Sequence, residues 1–168
     1  MKVYNTRHIR RIFLCFFPVS VVFIISVVVI RKLLNYISKV NIDIEKKICY
    51  INLYNMWISQ YIQQKKISDF VVKNGYKNIA IYGWGDLGKR LYDELIQNSE
   101  INLRYIVDRA DIKEINSLCK CVKNANDINE KIDLLIITPF IEFDTIKDSI
   151  NNDKIMQIFS LEDLVYEM

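Results

Sequence analysis

The sequence predicts an α/β fold built on a parallel sheet, and three observations carry that reading. Ile79-Ala80-Ile81-Tyr82 runs directly into Gly83-x-Gly85-x-x-Gly88. A second apolar run, Leu103 to Val107, ends in Asp108, twenty residues after Gly88. A third, Leu134-Leu135-Ile136-Ile137, leads into Thr138-Pro139. Strand, glycine turn, helix, strand and acid in that order describe a small Rossmann-like sheet with flanking helices. Upstream of it the chain reads as one transmembrane helix and an amphipathic helical stalk.

At 168 residues, there is room for one domain plus accessories. Three segments follow: a basic tail and anchor (1–32), a stalk (33–74) and the nucleotide-binding domain (75–168). The net charge of +3 comes from abundant charges of both signs. With no basic patch interleaved with aromatics, nucleic acid is not an expected partner. Cys15, Cys49, Cys119 and Cys121 have neither metal-ligand spacing nor a secreted disulfide pattern, which implies free thiols in a reducing compartment.

From Ile12 to Ile30 only Pro18, Ser20 and Ser26 interrupt the apolar run, apart from Cys15, and fifteen of the nineteen positions are Ile, Leu, Phe or Val. Such a helix rises roughly 28 Å and gains about 5–9 kcal/mol on insertion, before the proline and serines take some back. Arg31-Lys32 follow with no small-x-small cleavage site, which implies an anchor that is not removed. Four basic residues before the span and five after it leave the flanking charges undecided. The cytoplasmic side is assigned to the globular domain because a nucleotide site and unpaired thiols belong there.

Ile37, Val40, Ile44, Ile48, Ile51, Tyr54, Ile58 and Ile62 recur at steps of three and four, the period of an α-helix. A second row, Tyr50, Leu53, Trp57 and Tyr61, widens the apolar face. This face must be covered, either by the globular domain or by a second copy in a homodimer. The first row departs from strict heptads, which favours packing within the chain or a loose dimer. Ser68 or Asp69 is the expected cap of a short helix ended by Asn74-Gly75.

The first strand is Ile79 to Tyr82 and the first domain helix Asp86 to Gln97. After Asp108 the pattern loosens: Ile112 to Leu118 reads as loop or a turn of helix, Cys119 to Val122 as a short strand, and Asp127 to Lys131 as a brief helix. Phe143 to Ile150 reads as helix and Ile155 to Phe159 as the last strand, with Ser160 capping a closing helix. Ligands in such sheets sit beyond the carboxyl ends of the strands. The expected site is therefore Gly83, Trp84, Gly85, Asp86, Leu87 and Gly88 in the turn, with Asp108, Arg109, Thr138 and Pro139 at neighbouring strand ends. Asp108 would meet a ribose 2′-hydroxyl, and Arg109 is placed to contact a 2′-phosphate. Asp86 stands at the helix N-terminus, where a pyrophosphate would rest, and Lys89 one turn on offsets its charge.

Residues from about 68 to 168 resemble the small Rossmann-like modules of bacterial surface-polysaccharide pathways. The likeness rests on Ile-Ala-Ile-Tyr-Gly-Trp-Gly-Asp-Leu-Gly, Tyr-Ile-Val-Asp and Leu-Leu-Ile-Ile-Thr-Pro. Similar modules precede the catalytic part of membrane-anchored nucleotide-sugar epimerase/dehydratases and of sugar acetyltransferases. The resemblance implies that Gly83, Gly85, Gly88 and Asp108 surround NAD(P) or a nucleotide-sugar, and that the partners are membrane-side polysaccharide-biosynthesis enzymes in capsule or glycan assembly. No catalytic segment follows the closing helix and no acid–base pair stands out, so catalysis is not expected. Tyr61-x-x-x-Lys65 has the spacing of a short-chain dehydrogenase pair but precedes the glycine motif, and is taken as coincidence. His8, in the basic tail, has no evident catalytic partner. Two alternatives stand beside the binding module: a ligand-free assembly protein, and a minimal nucleotide-sugar oxidoreductase or epimerase.

Overall fold

The computed structural model describes residues 6–110, 112 and 119–168, with side chains from residue 21 onward. The expected loop or turn at 112–118 therefore lies almost wholly outside the described residues, as do the side chains of His8 and Cys15. The chain divides into two units, Met1–Cys49 and Tyr50–Met168.

The described residues of the first unit belong to a single helix, α1 (Thr6–Ile62). Its described portion is long and apolar enough to cross a membrane, with a mean hydropathy of 1.9 in its most apolar stretch and none of that stretch buried.

The second unit begins with the last turns of α1 and continues through α2 (Ile67–Lys73), β1 (Asn78–Tyr82), α3 (Asp86–Leu95), β2 (Asn102–Val107) and β3 (Lys120–Val122). A 3-10 turn at Ala125–Asp127 leads to β4 (Ile132–Ile137), another at Phe140–Glu142 to α4 (Phe143–Asp148), and the chain ends in β5 (Ile155–Ser160) and α5 (Leu161–Glu167). The five strands form one sheet in the order β3-β2-β1-β4-β5, with every pair parallel. The order reverses between β1 and β4, so the crevice beyond their carboxyl ends is the switch point where such sheets hold ligands.

Alternation along the strands builds two cores. Ile79 and Ile81 of β1, with Leu134 and Ile136 of β4, meet Leu87, Leu91 and Leu95 of α3. Ile67 and Val71 of α2 and Leu161 and Leu164 of α5 join the same cluster. On the opposite face Ala80, Tyr105, Val107 and Leu135 pack with Ala125 and Ile128 from the first 3-10 turn. The stretches Ile79–Ile81 of β1 and Leu134–Ile137 of β4, buried on both sides, are accordingly unbroken apolar runs. β1 and β2 slip by one residue at Ile79/Ala80, so that Leu103 and Tyr105 face consecutive residues. The skipped Arg104 ion-pairs with Glu130, which Lys120 of β3 also engages.

Three expectations change. The brief helix expected at 127–131 is instead a 3-10 turn at Ala125–Asp127, opened by Asn124, whose side chain accepts from the Asn126 amide. Neither Ser68 nor Asp69 caps α2. Lys66 is its N-cap residue, without a capping side chain, and Glu94 of α3 accepts from the Ser68 amide at 3.0 Å. Of the two apolar rows on α1, the domain takes the second: Leu53 and Trp57 are buried and Tyr50 and Tyr54 pack partly against the core. Tyr54 is the one member of the first row that turns to the core; Ile51 at 57%, Ile58 at 56% and Ile62 of that row are left exposed, and so is Tyr61 of the second. α1 ends where Gln64 takes a left-handed φ of 61° and the Lys65 amide reaches back to the Gln60 carbonyl at 3.0 Å, a Schellman arrangement without glycine.

Candidate functional site

Gly83 continues β1 by donating its amide to the Val107 carbonyl at 2.8 Å, then turns the chain at φ +95°. That conformation disfavours any side chain. A Cβ there would also lie 2.6 Å from Thr138 Oγ1 and 2.9 Å from Pro139 Cδ. Gly88, in the first turn of α3, is held closer still: its Cβ would lie 2.0 Å from the Gly83 carbonyl oxygen. These two glycines are explained by the fold alone. Gly85 is different. It caps α3 in extended backbone at φ −75°, and a Cβ there would meet nothing within 4 Å.

Thr138 and Pro139 stand against the turn from the end of β4. The buried Thr138 hydroxyl donates to the Tyr82 carbonyl at 3.0 Å and lies 3.2 Å from that of Gly83. The Thr138 amide donates to the Tyr82 carbonyl at 2.9 Å. Asp108 closes the turn from the end of β2. Its Oδ2 accepts from the Trp84 amide at 2.6 Å and its Oδ1 from the Ala110 amide at 2.8 Å. Asp108 thus holds the glycine turn directly, and each carboxylate oxygen keeps a lone pair for a further donor.

The other expected residues fall into place around this turn. Trp84 is half-buried and packs edge-to-face on Tyr92 of α3, ring centres 5.2 Å apart. Leu87 is buried in the core beneath α3. Asp86 and Lys89 are exposed in the first turn of α3, and Arg109 is exposed beside Asp108. The first amides of α3 have no intrahelical acceptor by geometry, and Gly85 brings no side chain to cap them. The arrangement can therefore offer backbone N–H groups and the positive end of a ten-residue helix to an anion.

A second feature of α3 was not anticipated. Glu94 reaches into the junction of three helices, accepting from the Trp57 indole at 3.2 Å as well as from the Ser68 amide. Burial pushes its carboxyl above the ordinary value of 4.5, against the hydrogen bonds from Ser68 and Trp57, which lower it. A hollow of about 460 Å³ opens beside it, lined by Tyr54, Trp57, Tyr61, Lys66 and Arg90 among others. The signal lay in the apolar stripe Leu87, Leu91, Leu95, in which an acid at 94 occupies an inward position.

Lys65 donates to the Met168 backbone oxygen at 2.9 Å, so that end of the Tyr61/Lys65 pair is engaged with the carboxyl terminus. Cys49, Cys119 and Cys121 are free, and the Cys119 thiol donates to the Leu103 carbonyl at 3.2 Å. Among the described residues no cluster of His, Cys, Asp or Glu could hold a metal ion.

No protein-family model, curated protein or solved structure matches this chain.

Proposed function

We propose that this chain is a membrane-anchored Rossmann-like module that binds the diphosphate of NAD(P) or of a nucleotide-sugar. The observation that carries the reading is Gly85: neither backbone strain nor a neighbouring atom demands a glycine there, and its N-cap position would accept Ser, Asp or Asn as well, whereas a phosphate lying close to the backbone calls for glycine. The switch point between β1 and β4 and the uncapped start of α3 support it. In this reading Gly83, Gly85 and Gly88 shape the phosphate cradle. Asp108 accepts from a ribose hydroxyl while holding the Trp84 amide, and Arg109 distinguishes a 2′-phosphate.

The apolar run at 12–30 spans the bilayer, and the domain faces the cytoplasm, where nucleotides and free thiols occur together. The resemblance to surface-polysaccharide modules makes the role accessory to those enzymes rather than catalytic. One observation favours the ligand-free assembly reading: Asp108 already satisfies the turn from within the chain.

The test is a titration of the full chain in detergent with NAD, NADP and UDP-sugars, followed by thermal unfolding. One of them should raise the unfolding temperature of the wild type and leave Gly85→Val unmoved. If none raises it, the assembly reading stands in place of the binding one. Labelling the exposed Cys49 with a membrane-impermeant maleimide should fail in intact cells and succeed after lysis; labelling of intact cells would reverse the orientation.

A further inference from the structure

The two apolar rows of α1 have different fates, and the row left exposed is a heptad seam. Ile37, Ile44, Ile51 and Ile58 are seven residues apart, and all four are isoleucine. Leu34, Asn41, Ile48, Asn55 and Ile62 interleave with them at alternating steps of three and four. With the second set as a and the first as d, the alternation runs unbroken through about four heptads, the length that marks a coiled coil. The drift in the full apolar pattern came from Val40 and Tyr54, which stand at g.

In the Tyr50–Met168 unit the α1 residues that are buried are Leu53, Trp57 and Gln60. These are c and f positions, on the side of the helix away from a and d. Ile51, Asn55, Ile58 and Ile62 remain exposed in that unit, and in the other unit Leu34 (60%), Ile37 (50%), Ile44 (48%) and Ile48 (50%) are exposed likewise. Within its own unit the domain therefore takes one face of the helix and leaves the seam face free.

We infer that residues 34–62 pair with the same residues of a second copy as a parallel, in-register, two-stranded coiled coil. The occupant follows from the asparagines. A polar side chain at a is stable in such a seam only opposite a hydrogen-bonding partner. Parallel in-register pairing sets Asn41 against Asn41 and Asn55 against Asn55. A shift of one heptad sets each asparagine against an apolar a residue, and antiparallel pairing sets each against a d isoleucine. No unrelated apolar partner satisfies both layers. The e positions, Ser38, Glu45, Asn52 and Ser59, are all polar, and of the g positions only Lys47 is charged; isoleucine at d by itself favours three or four strands, so the strand number of two rests on the asparagines at a. Glu45 and Lys47 are the only charges at e and g, and no g–e′ pair sets like charges together. The inference stands apart from the nucleotide reading.

The test uses the full chain in detergent with its four native cysteines replaced by serine. Ile37→Cys and Ile58→Cys, introduced separately, should each close a disulfide to its own counterpart on mild oxidation. Lys39→Cys, at f, should not. Cross-linking at only one of the two d sites, or equally at Lys39, would overturn the parallel in-register arrangement. By light scattering the unmodified chain should have the mass of two copies, and Ile44→Asp combined with Ile51→Asp should halve it, with the domain's unfolding temperature retained as a check on folding. A mass of one copy or of three for the unmodified chain would equally overturn the proposal.

Discussion

The two ends of α3 use the same helix in opposite ways. Its N-terminus is approached by backbone: Gly88 sits under the Gly83 carbonyl, and among the described residues the side chain bonded to the turn's amides is Asp108, from the end of the next strand. Its C-terminal half is approached by side chains, where Glu94 ties together α1 through Trp57 and α2 through Ser68. One end is closely packed around a single open position, Gly85. The other is a half-buried polar joint that fastens the end of α1 and the start of α2 to α3.

The largest effects should come from closing the packed part of the turn. Gly88→Ala forces a methyl into a backbone carbonyl 2.0 Å away, which a flexible side chain cannot relieve. We expect a loss of about 3–5 kcal/mol in chemical denaturation. Gly83→Ala meets Thr138 at 2.6 Å and carries a left-handed φ as well, for about 2–4 kcal/mol. If either substitution proved neutral, the turn could not have the geometry described.

Next in size is the joint at Glu94. Glu94→Ala leaves the Trp57 indole and the Ser68 amide without their acceptor, at a cost of about 1–3 kcal/mol once the removed desolvation of the carboxylate is set against it. The pH dependence has a definite sign. The folded state raises the Glu94 carboxyl above 4.5, so it binds the proton more tightly than the unfolded chain does. This group's contribution is full below about pH 4.5 and is lost as pH rises through the folded value. Glu130 runs the other way. Lys120 and Arg104 hold its carboxyl down at about 2 from 4.5, so its contribution is present above about pH 4.5 and disappears as pH falls towards 2. Denaturation of Glu94→Gln between pH 4 and 7 should lack the decline seen in the wild type, while Glu130→Gln should keep it. The same slope in wild type and Glu94→Gln would remove Glu94 from the account.

These contrasts show what the sequence could and could not disclose. The sheet was legible because β1, β2 and β4 each hold three or more consecutive buried apolar residues, and the glycine turn because the approach of Gly88 to Gly83 lies within the motif itself. The stalk was legible as a helix but not as two faces. Tyr50, Leu53 and Trp57 look no more inward than Ile51 and Ile58 until the domain is present to choose between them. Glu94 was hidden for a related reason: its partners, Trp57 and Ser68, lie 37 and 26 residues away. Asp108 was placed at the turn by its distance from Gly88, but its bond to the Trp84 amide needed coordinates.

The smallest expected change in stability is at Gly85, and it bears most directly on function. Its φ is −75° and its Cβ position is open, so Gly85→Ala has neither strain nor collision to overcome. Alanine is a poorer N-cap than glycine, which allows a loss of at most about 1 kcal/mol. If the cradle holds a diphosphate, the added methyl stands where the phosphate approaches, and affinity should fall by tenfold or more, about 1.4 kcal/mol. Calorimetric titration of wild type and Gly85→Ala with the ligand found by thermal shift measures this directly. Unchanged affinity in a stably folded variant would mean that the open space at Gly85 is not where the ligand lies. A large loss of stability would mean that the turn is packed more tightly there than its geometry indicates, and the contrast between the two ends of α3 would have to be redrawn.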